Sequence, residues 1–227
     1  MANFYIIATP IGNLEDISKR TLRLLSEVDL ILCEDTRVTK KLLDHYEIKT
    51  PTLSYHQHSK IKKIDYIINL LKDGKNLALV SDAGTPGISD PGSKLINLAI
   101  KQLDNLTIVP VPGPSAVTTV ASIAGFSMDR FLFLGFPPAK KKRNKFFKEM
   151  LESKYPVILY ESPYRILKTL SELELKAKSY NLKPDLVVCR ELTKKFETIC
   201  RGDIKKVIKD VKNDKVKGEF VIVVKKS

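Results

Sequence analysis

Short runs of β-branched and apolar residues alternate with amphipathic segments from the start of the chain, and this alternation restricts the fold more than any other feature of the sequence. Residues 4–7 read as a strand, 18–27 as a helix, 29–33 as a strand and 38–46 as a helix. Ile61, Ile64, Ile68 and Leu71 then recur at helical spacing, followed by a strand over 77–80, a helix over 94–101 and a strand over 107–111. Strands separated by crossover helices pair in parallel, since a tight turn can join only antiparallel neighbours. The first half is therefore expected to form one α/β unit around a mostly parallel sheet.

The segment Pro110-Val-Pro-Gly-Pro114 interrupts the pattern with three prolines and a glycine, and sets the expected boundary between a domain over 1–114 and a domain over 115–227. Beyond it come a short helix, a strand over 131–134, a helix over 143–151 with Phe146, Phe147, Met150 and Leu151 on one face, and a strand over 157–160. The tail differs: strands over 186–190, 198–201 and 220–224 enclose a single helix, 204–211. Strands that close together introduce antiparallel pairs, so the second sheet is expected to be mixed. The fold class is α/β, in two domains.

Charge narrows the partners. Lys and Arg number 39 against 26 Asp and Glu, a net +13, which favours a polyanion bound through phosphate contacts and counterion release. A hydrophobic fraction of 43% with 29% charged residues is that of a folded globular chain. No apolar run approaches the roughly 20 residues of a membrane span, and the apolar start carries no basic leader, so no membrane partner and a cytoplasmic location are expected. Cys33, Cys189 and Cys200 lack metal-ligand spacing and fall in or beside strands, as core filler does.

Three loops follow strands of the first half, where an open parallel sheet presents its ligand-binding edge. They are Ala8-Thr-Pro-Ile-Gly-Asn13, the segment 81–92 containing Asp82-Ala-Gly-Thr-Pro86, and Pro112-Gly-Pro-Ser-Ala116. Their glycines allow close backbone approach to a ligand and their prolines stiffen the turns. Neither Gly-x-Gly-x-x-Gly nor the P-loop pattern occurs, which removes support for an ordinary dinucleotide enzyme or NTPase. Asp82 follows a strand directly and should project its carboxylate toward a ligand, whereas Asp90-Pro91 reads as a helix cap with proline at the first helical position. Glu34-Asp35-Thr-Arg37 brings two carboxylates and a guanidinium to the same edge, with a helix cap and a surface ion pair as the structural alternative. His56 and His58 flank Gln57 without nearby ligand partners, so no metal site is assigned. Lys140, Lys141, Lys142 and Arg143 put cations at the start of a helix, where the macrodipole disfavours them, and a phosphate is the expected compensation.

Ala8-Thr-Pro-Ile-Gly-Asn-Leu-Glu-Asp-Ile17, Glu34-Asp-Thr-Arg37, Val80-Ser-Asp-Ala-Gly-Thr-Pro86, Ile88-Ser-Asp-Pro-Gly92 and Pro112-Gly-Pro-Ser-Ala116 together resemble the small-subunit ribosomal RNA methyltransferases of the tetrapyrrole methylase superfamily. The likeness continues through Arg130-Phe-Leu-Phe-Leu-Gly-Phe136, Tyr160-Glu-Ser-Pro-Tyr-Arg165, Arg190-Glu-Leu-Thr-Lys194, Glu197 and Gly218-Glu219, in order along the whole chain. It implies two α/β domains with S-adenosylmethionine (SAM) in the cleft between them, a homodimer, and 2′-O-methylation of a cytidine in the decoding region of the rRNA. Carried over by motif, Pro10, Ile11, Asp82, Thr85, Ser115 and Ala116 would face SAM, joined by Tyr160 and Glu161 from the second domain. Family members commonly continue past the last strand into a helical extension, whereas this sequence stops at Lys225-Lys-Ser227, so RNA contacts made by that extension are expected to be missing. Gln57 stands where relatives often have an acidic residue.

A ribose 2′-hydroxyl is a poor nucleophile while protonated, so a carboxylate should assist its attack, and Glu34 and Asp35 are the candidates. Arg37 cannot act as a base at neutral pH and would hold a phosphate or orient those carboxylates. The competing readings are methylation of a tetrapyrrole or diphthamide precursor, which needs no basic outer surface, and a non-catalytic RNA-binding assembly factor.

Overall fold

In the computed structural model every residue except Gln57, His58, Pro91 and Ser227 is described. The chain divides into two units, Met1–Ser115 and Ala116–Ser227.

In the first unit β1 (Ala2–Ile7), α1 (Lys19–Glu27), β2 (Leu30–Cys33), α2 (Thr36–His45), β3 (Thr52–Ser54), α3 (Ile61–Lys72), β4 (Leu77–Val80), α4 (Gly92–Gln102) and β5 (Leu106–Val111) follow in turn, with a 3₁₀ turn at Leu14–Asp16. The strands lie in the order β3-β2-β4-β1-β5 and all pair in parallel. Alternate residues serve opposite faces, as the strand period of two requires. Leu77 and Leu79 join Phe4 and Leu32 under α3 and α4. Ala78 and Val80 join Ile7, Ile31 and Cys33 under α1 and α2.

Capping fixes the helix starts. Ser18 accepts from the Thr21 amide at 3.0 Å and Asp35 from the Arg37 amide at 2.8 Å. The second helix consequently begins two residues before the position its apolar spacing suggests. Pro110 lies inside β5 instead of breaking it; β5 is an edge strand with β1 as its one neighbour, where a missing N–H is tolerated.

The second unit contains α5 (Ala116–Ser122), β6 (Leu132–Phe133), α6 (Arg143–Glu152), β7 (Val157–Glu161), α7 (Ile166–Ser179), β8 (Asp185–Arg190), β9 (Thr198–Asp203), α8 (Ile204–Asn213) and β10 (Phe220–Lys225). Its sheet runs β6-β7-β10-β8-β9, parallel at β6/β7 and antiparallel elsewhere, the mixed sheet expected from the crowded tail. One core joins α6, α7 and α8 to the sheet through residues such as Phe147, Leu170, Val207 and Ile222. The 14-residue helix α7 is absent from the sequence reading, although Ile166, Thr169, Leu170, Leu173 and Ala177 form its buried stripe at helical spacing. Cys33 and Cys189 are buried and Cys200 packs at the edge of the second core, all three as free thiols.

Candidate active site

Strand register sets the level at which the loops of the first unit leave its sheet. Ile7 pairs with both Val80 and Val111, and Leu32 with Leu79, so the segments after β1, β2, β4 and β5 depart side by side at the carboxyl ends. In open parallel sheets that edge carries the ligand site. Three of the segments are knitted together. Thr9 and Gly84 exchange backbone bonds of 2.9 and 3.0 Å, the Ala8 amide donates to the Val111 carbonyl at 3.2 Å, and the Thr85 hydroxyl donates to the Pro114 carbonyl at 3.1 Å. The Thr9 hydroxyl donates to the Ser81 carbonyl at 3.1 Å, fixing the base of the middle loop.

Small residues permit this. A Cβ on Gly113 would stand 3.0 Å from that of Ala8, and Gly84 has φ +86° with Ile11 against it. Asp90 accepts from the amides of Gly87 (2.7 Å) and Gly92 (2.8 Å), so it closes the middle loop while capping α4. The expected place of Pro91 lies outside the described residues, as do Gln57 and His58.

Four carboxylates meet at this edge, and their surroundings sort them. The Arg37 guanidinium grips Asp35 through Nε (3.0 Å) and Nη2 (2.6 Å), and the Arg37 amide adds a cap bond. Those bonds hold the Asp35 carboxyl down at about 2, which makes it a weak base. Glu34 is half-buried and goes the other way: burial raises it first, the charges of Asp90 and Asp82 raise it further, and the Asp82 amide opposes them. Asp82 accepts from the Asp35 amide at 3.0 Å through one oxygen, and partial burial, then the charge of Asp35, raise its carboxyl. Arg37 itself is 87% exposed and faces solvent.

The second unit treats its charged residues differently. Glu161 has no exposed side-chain surface; its Oε1 takes the Ser162 amide (2.7 Å) and Arg165 Nη2 (2.9 Å), and its Oε2 takes the Thr169 hydroxyl (2.6 Å). Arg143, grouped with the lysines on sequence grounds, is also buried, reaching Glu172 (2.6 Å), the Pro138 carbonyl (3.0 Å) and Thr169 (2.7 Å). Glu172 thus pairs with the one cation of the run that is buried, Arg143 at the start of α6. Lys140, Lys141 and Lys142 remain exposed, with Lys142 left-handed at φ +65°. Tyr160 packs edge-on against Phe133, and burial pushes its hydroxyl up to about 12.

The Arg190-Glu-Leu-Thr-Lys194 motif resolves into a clasp. Lys194 reaches Glu191 and Glu219 at 2.9 Å each, and a Cβ on Gly218 would collide with the Glu191 carboxyl. Sequence reasoning missed Phe136, Tyr164 and Phe196, which are 52, 96 and 67% exposed and follow β6, β7 and β8. Those strands run in one direction, and Phe220 pairs with both Glu161 and Arg190, so the three aromatics stand along one sheet edge with Lys140, Lys141 and Lys142. Aromatic residues inside turn-rich, lysine-bearing segments are the signal that marks them.

With a parallel sheet whose carboxyl-end loops are locked into one acid-bearing rim, followed by a mixed-sheet unit, the chain belongs to the Tetrapyrrole (Corrin/Porphyrin) Methylases, a methyltransferase family whose model matches residues 3–208. Among its relatives, the ribosomal RNA small subunit methyltransferase I of Bacillus subtilis is 43% identical over 231 residues, covering 100% of this chain and 76% of that protein. The protein of the same name from Thermotoga maritima is 41% identical and covers 98% of both. The share of the relatives' own length that the match covers thus differs, from 76% to 98%. A cobalt precorrin-4 methyltransferase shares the fold at a TM-score of 0.71 and 18% identity, covering 99% of this chain and 94% of that one. A diphthine synthase does so at 0.74 and 13%, covering 99% and 90%.

Proposed function

We propose that this chain transfers a methyl group from SAM to the 2′-hydroxyl of a cytidine in the decoding region of small-subunit rRNA, acting as a cytoplasmic homodimer. The observation that carries this reading is identity above 40% over essentially the whole chain to relatives named for small-subunit rRNA methylation. The net charge of +13 and the exposed Lys140, Lys141 and Lys142 suit a phosphate-rich substrate. No helix among the described residues is long and apolar enough to cross a membrane.

The residues of the first unit fit SAM by their chemistry. A carboxylate at a strand end with one oxygen that bonds no described residue, Asp82, suits ribose hydroxyls or an ammonium group. Pro10, Ile11, Thr85, Ser115 and Ala116 line the knitted loops, whose backbone is held rigid before a ligand arrives. When bound, SAM supplies an electrophilic methyl group for in-line displacement. Glu34 is the base in this scheme: its raised affinity for a proton lets it accept one from the attacking hydroxyl, whereas Asp35, held by Arg37, orients the rim and starts α2. Rigid loops favour alignment, which is worth several kcal/mol in a displacement of this kind, on the order of 7 or more. This scheme gives Glu161 and Arg143 no part, since their polar atoms are engaged inside the second unit.

The test is incubation with radiolabelled SAM and, separately, naked rRNA, assembled small subunits and a tetrapyrrole precursor, followed by mapping of the label. Label on a cytidine ribose supports the proposal. Label on the tetrapyrrole alone, or on no RNA, refutes it.

A further inference from the structure

A concave site of about 360 Å³ opens in the second unit, lined by Asp129, Arg130, Lys154, Tyr155, Lys225 and Lys226 among others. Its walls are the segments entering β6 and β7 and the residues leaving β10, which the pairings of Val157 with Leu132 and Val224 place at one end of the sheet. Lys140, Lys141 and Lys142 come after β6, beyond the opposite end of that strand.

Four cations and one carboxylate face this hollow, a 4:1 ratio where the chain as a whole has 39 to 26. The carboxylate offsets one of the four charges without pairing with any of them, and Lys225 also lies over the Phe126 ring, 5.3 Å from its centre. Asp129 accepts from the Ser127 hydroxyl at 2.6 Å, and no carboxylate among the described residues forms an ion pair with Arg130, Lys154, Lys225 or Lys226. Arg130 and Lys154 converge on the Tyr155 ring, 5.9 and 5.2 Å from its centre, and Arg130 donates to the Tyr155 hydroxyl at 3.2 Å. The hydrogen bond from Arg130, with the nearby Lys154, lowers the Tyr155 hydroxyl from its ordinary value, a sign of concentrated positive potential. Arg130 keeps further N–H groups of its fork unengaged by any described residue.

A surplus of positive charge, four cations to one carboxylate, leaves an outward field that an anion relieves. A small anion needs one or two donors, whereas cations spread over three chain segments match successive phosphates of a polynucleotide. We infer that this hollow is a second RNA contact, holding the phosphodiester backbone of the substrate at the end of the sheet remote from Lys140, Lys141 and Lys142. The inference rests on the RNA-methyltransferase reading and adds a footprint to it.

The test measures affinity for a small-subunit rRNA fragment as a function of NaCl, in the intact chain and in a variant carrying Arg130→Gln, Lys154→Gln, Lys225→Gln and Lys226→Gln. Each lost phosphate contact flattens the log–log salt dependence by about 0.7 for single strands, so the variant should lose about 2–3 from the slope and at least tenfold in affinity near physiological salt. Thermal unfolding and SAM affinity by calorimetry should be unmoved, and the single variant Lys154→Glu should show the same direction of change if the fourfold variant folds poorly. Unaltered affinity and slope, in a protein that methylates RNA, overturn the second contact and leave the methyltransferase reading standing. A saturable effect of inorganic phosphate with no change in RNA binding overturns it too. Failure of the intact chain to bind or methylate RNA overturns both.

Discussion

Both units place a carboxylate at the carboxyl end of a strand, and the two are built to opposite ends. Glu161, closing β7, has its two oxygens filled by Ser162, Arg165 and Thr169 and no surface exposed. Glu34, following β2, is half-buried among the like charges of Asp82 and Asp90, with a backbone amide as its relief. A carboxylate surrounded by donors holds a structure together; one surrounded by carboxylates is held by the structure in a state it resists. The same contrast separates Arg143, enclosed by Glu172, Thr169 and a carbonyl, from the lysines just before it.

Removing the saturated member should have the largest effect. Glu161→Ala leaves Arg165 and Thr169 without their acceptor and should cost about 3–5 kcal/mol in urea unfolding, while SAM affinity in the folded fraction stays at the wild-type value. Loss of SAM binding without loss of stability would transfer Glu161 to the cofactor site. Asp82→Ala should weaken SAM binding about tenfold by calorimetry, the worth of a charge-assisted hydrogen bond of about 1.5 kcal/mol, and leave the melting temperature close to wild type. Unchanged SAM binding removes Asp82 from the site. Smallest is Arg37→Lys: a lysine cannot reproduce the bidentate grip, so the Asp35 carboxyl should rise from about 2 in an NMR titration. RNA affinity should fall a few-fold. An unshifted Asp35 would mean that the cap bond alone holds it.

The elements and their order are legible in the sequence because periodicity reports burial, and burial decides which face each residue serves. Asp35 shows what periodicity misses: α2 starts after its capping oxygen and not at the first apolar residue, whereas the start read at Ser18 agrees with its cap. Helix α7 carries a regular stripe and follows Ser162-Pro163-Tyr164-Arg165, a turn motif that draws attention away from it. Strand-end position singles out Asp82, Glu34 and Asp35 as candidates, but the difference in their affinity for a proton does not follow from position. It arises from Arg37 folding back onto Asp35 and from Asp90 approaching Glu34 across more than fifty residues of chain. Arg143 is the reverse case: its neighbours in sequence are lysines, and its partner Glu172 lies on a helix the sequence reading did not contain.

Glu34→Gln, assayed for stability and methyl transfer on the same preparation, tests the contrast most directly. The folded-state carboxyl lies above its ordinary value, so its neutral form is the one the fold prefers, and ionisation as pH rises through that value lowers stability. Glutamine copies the neutral form, so the melting temperature at pH 7 should rise by about 1–3 °C while transfer to rRNA falls by about 10²–10⁴-fold. In the wild-type enzyme the acid limb of the rate profile should stand above the usual glutamate range, and the variant should lack it. A variant that is less stable and transfers at the wild-type rate would contradict the account.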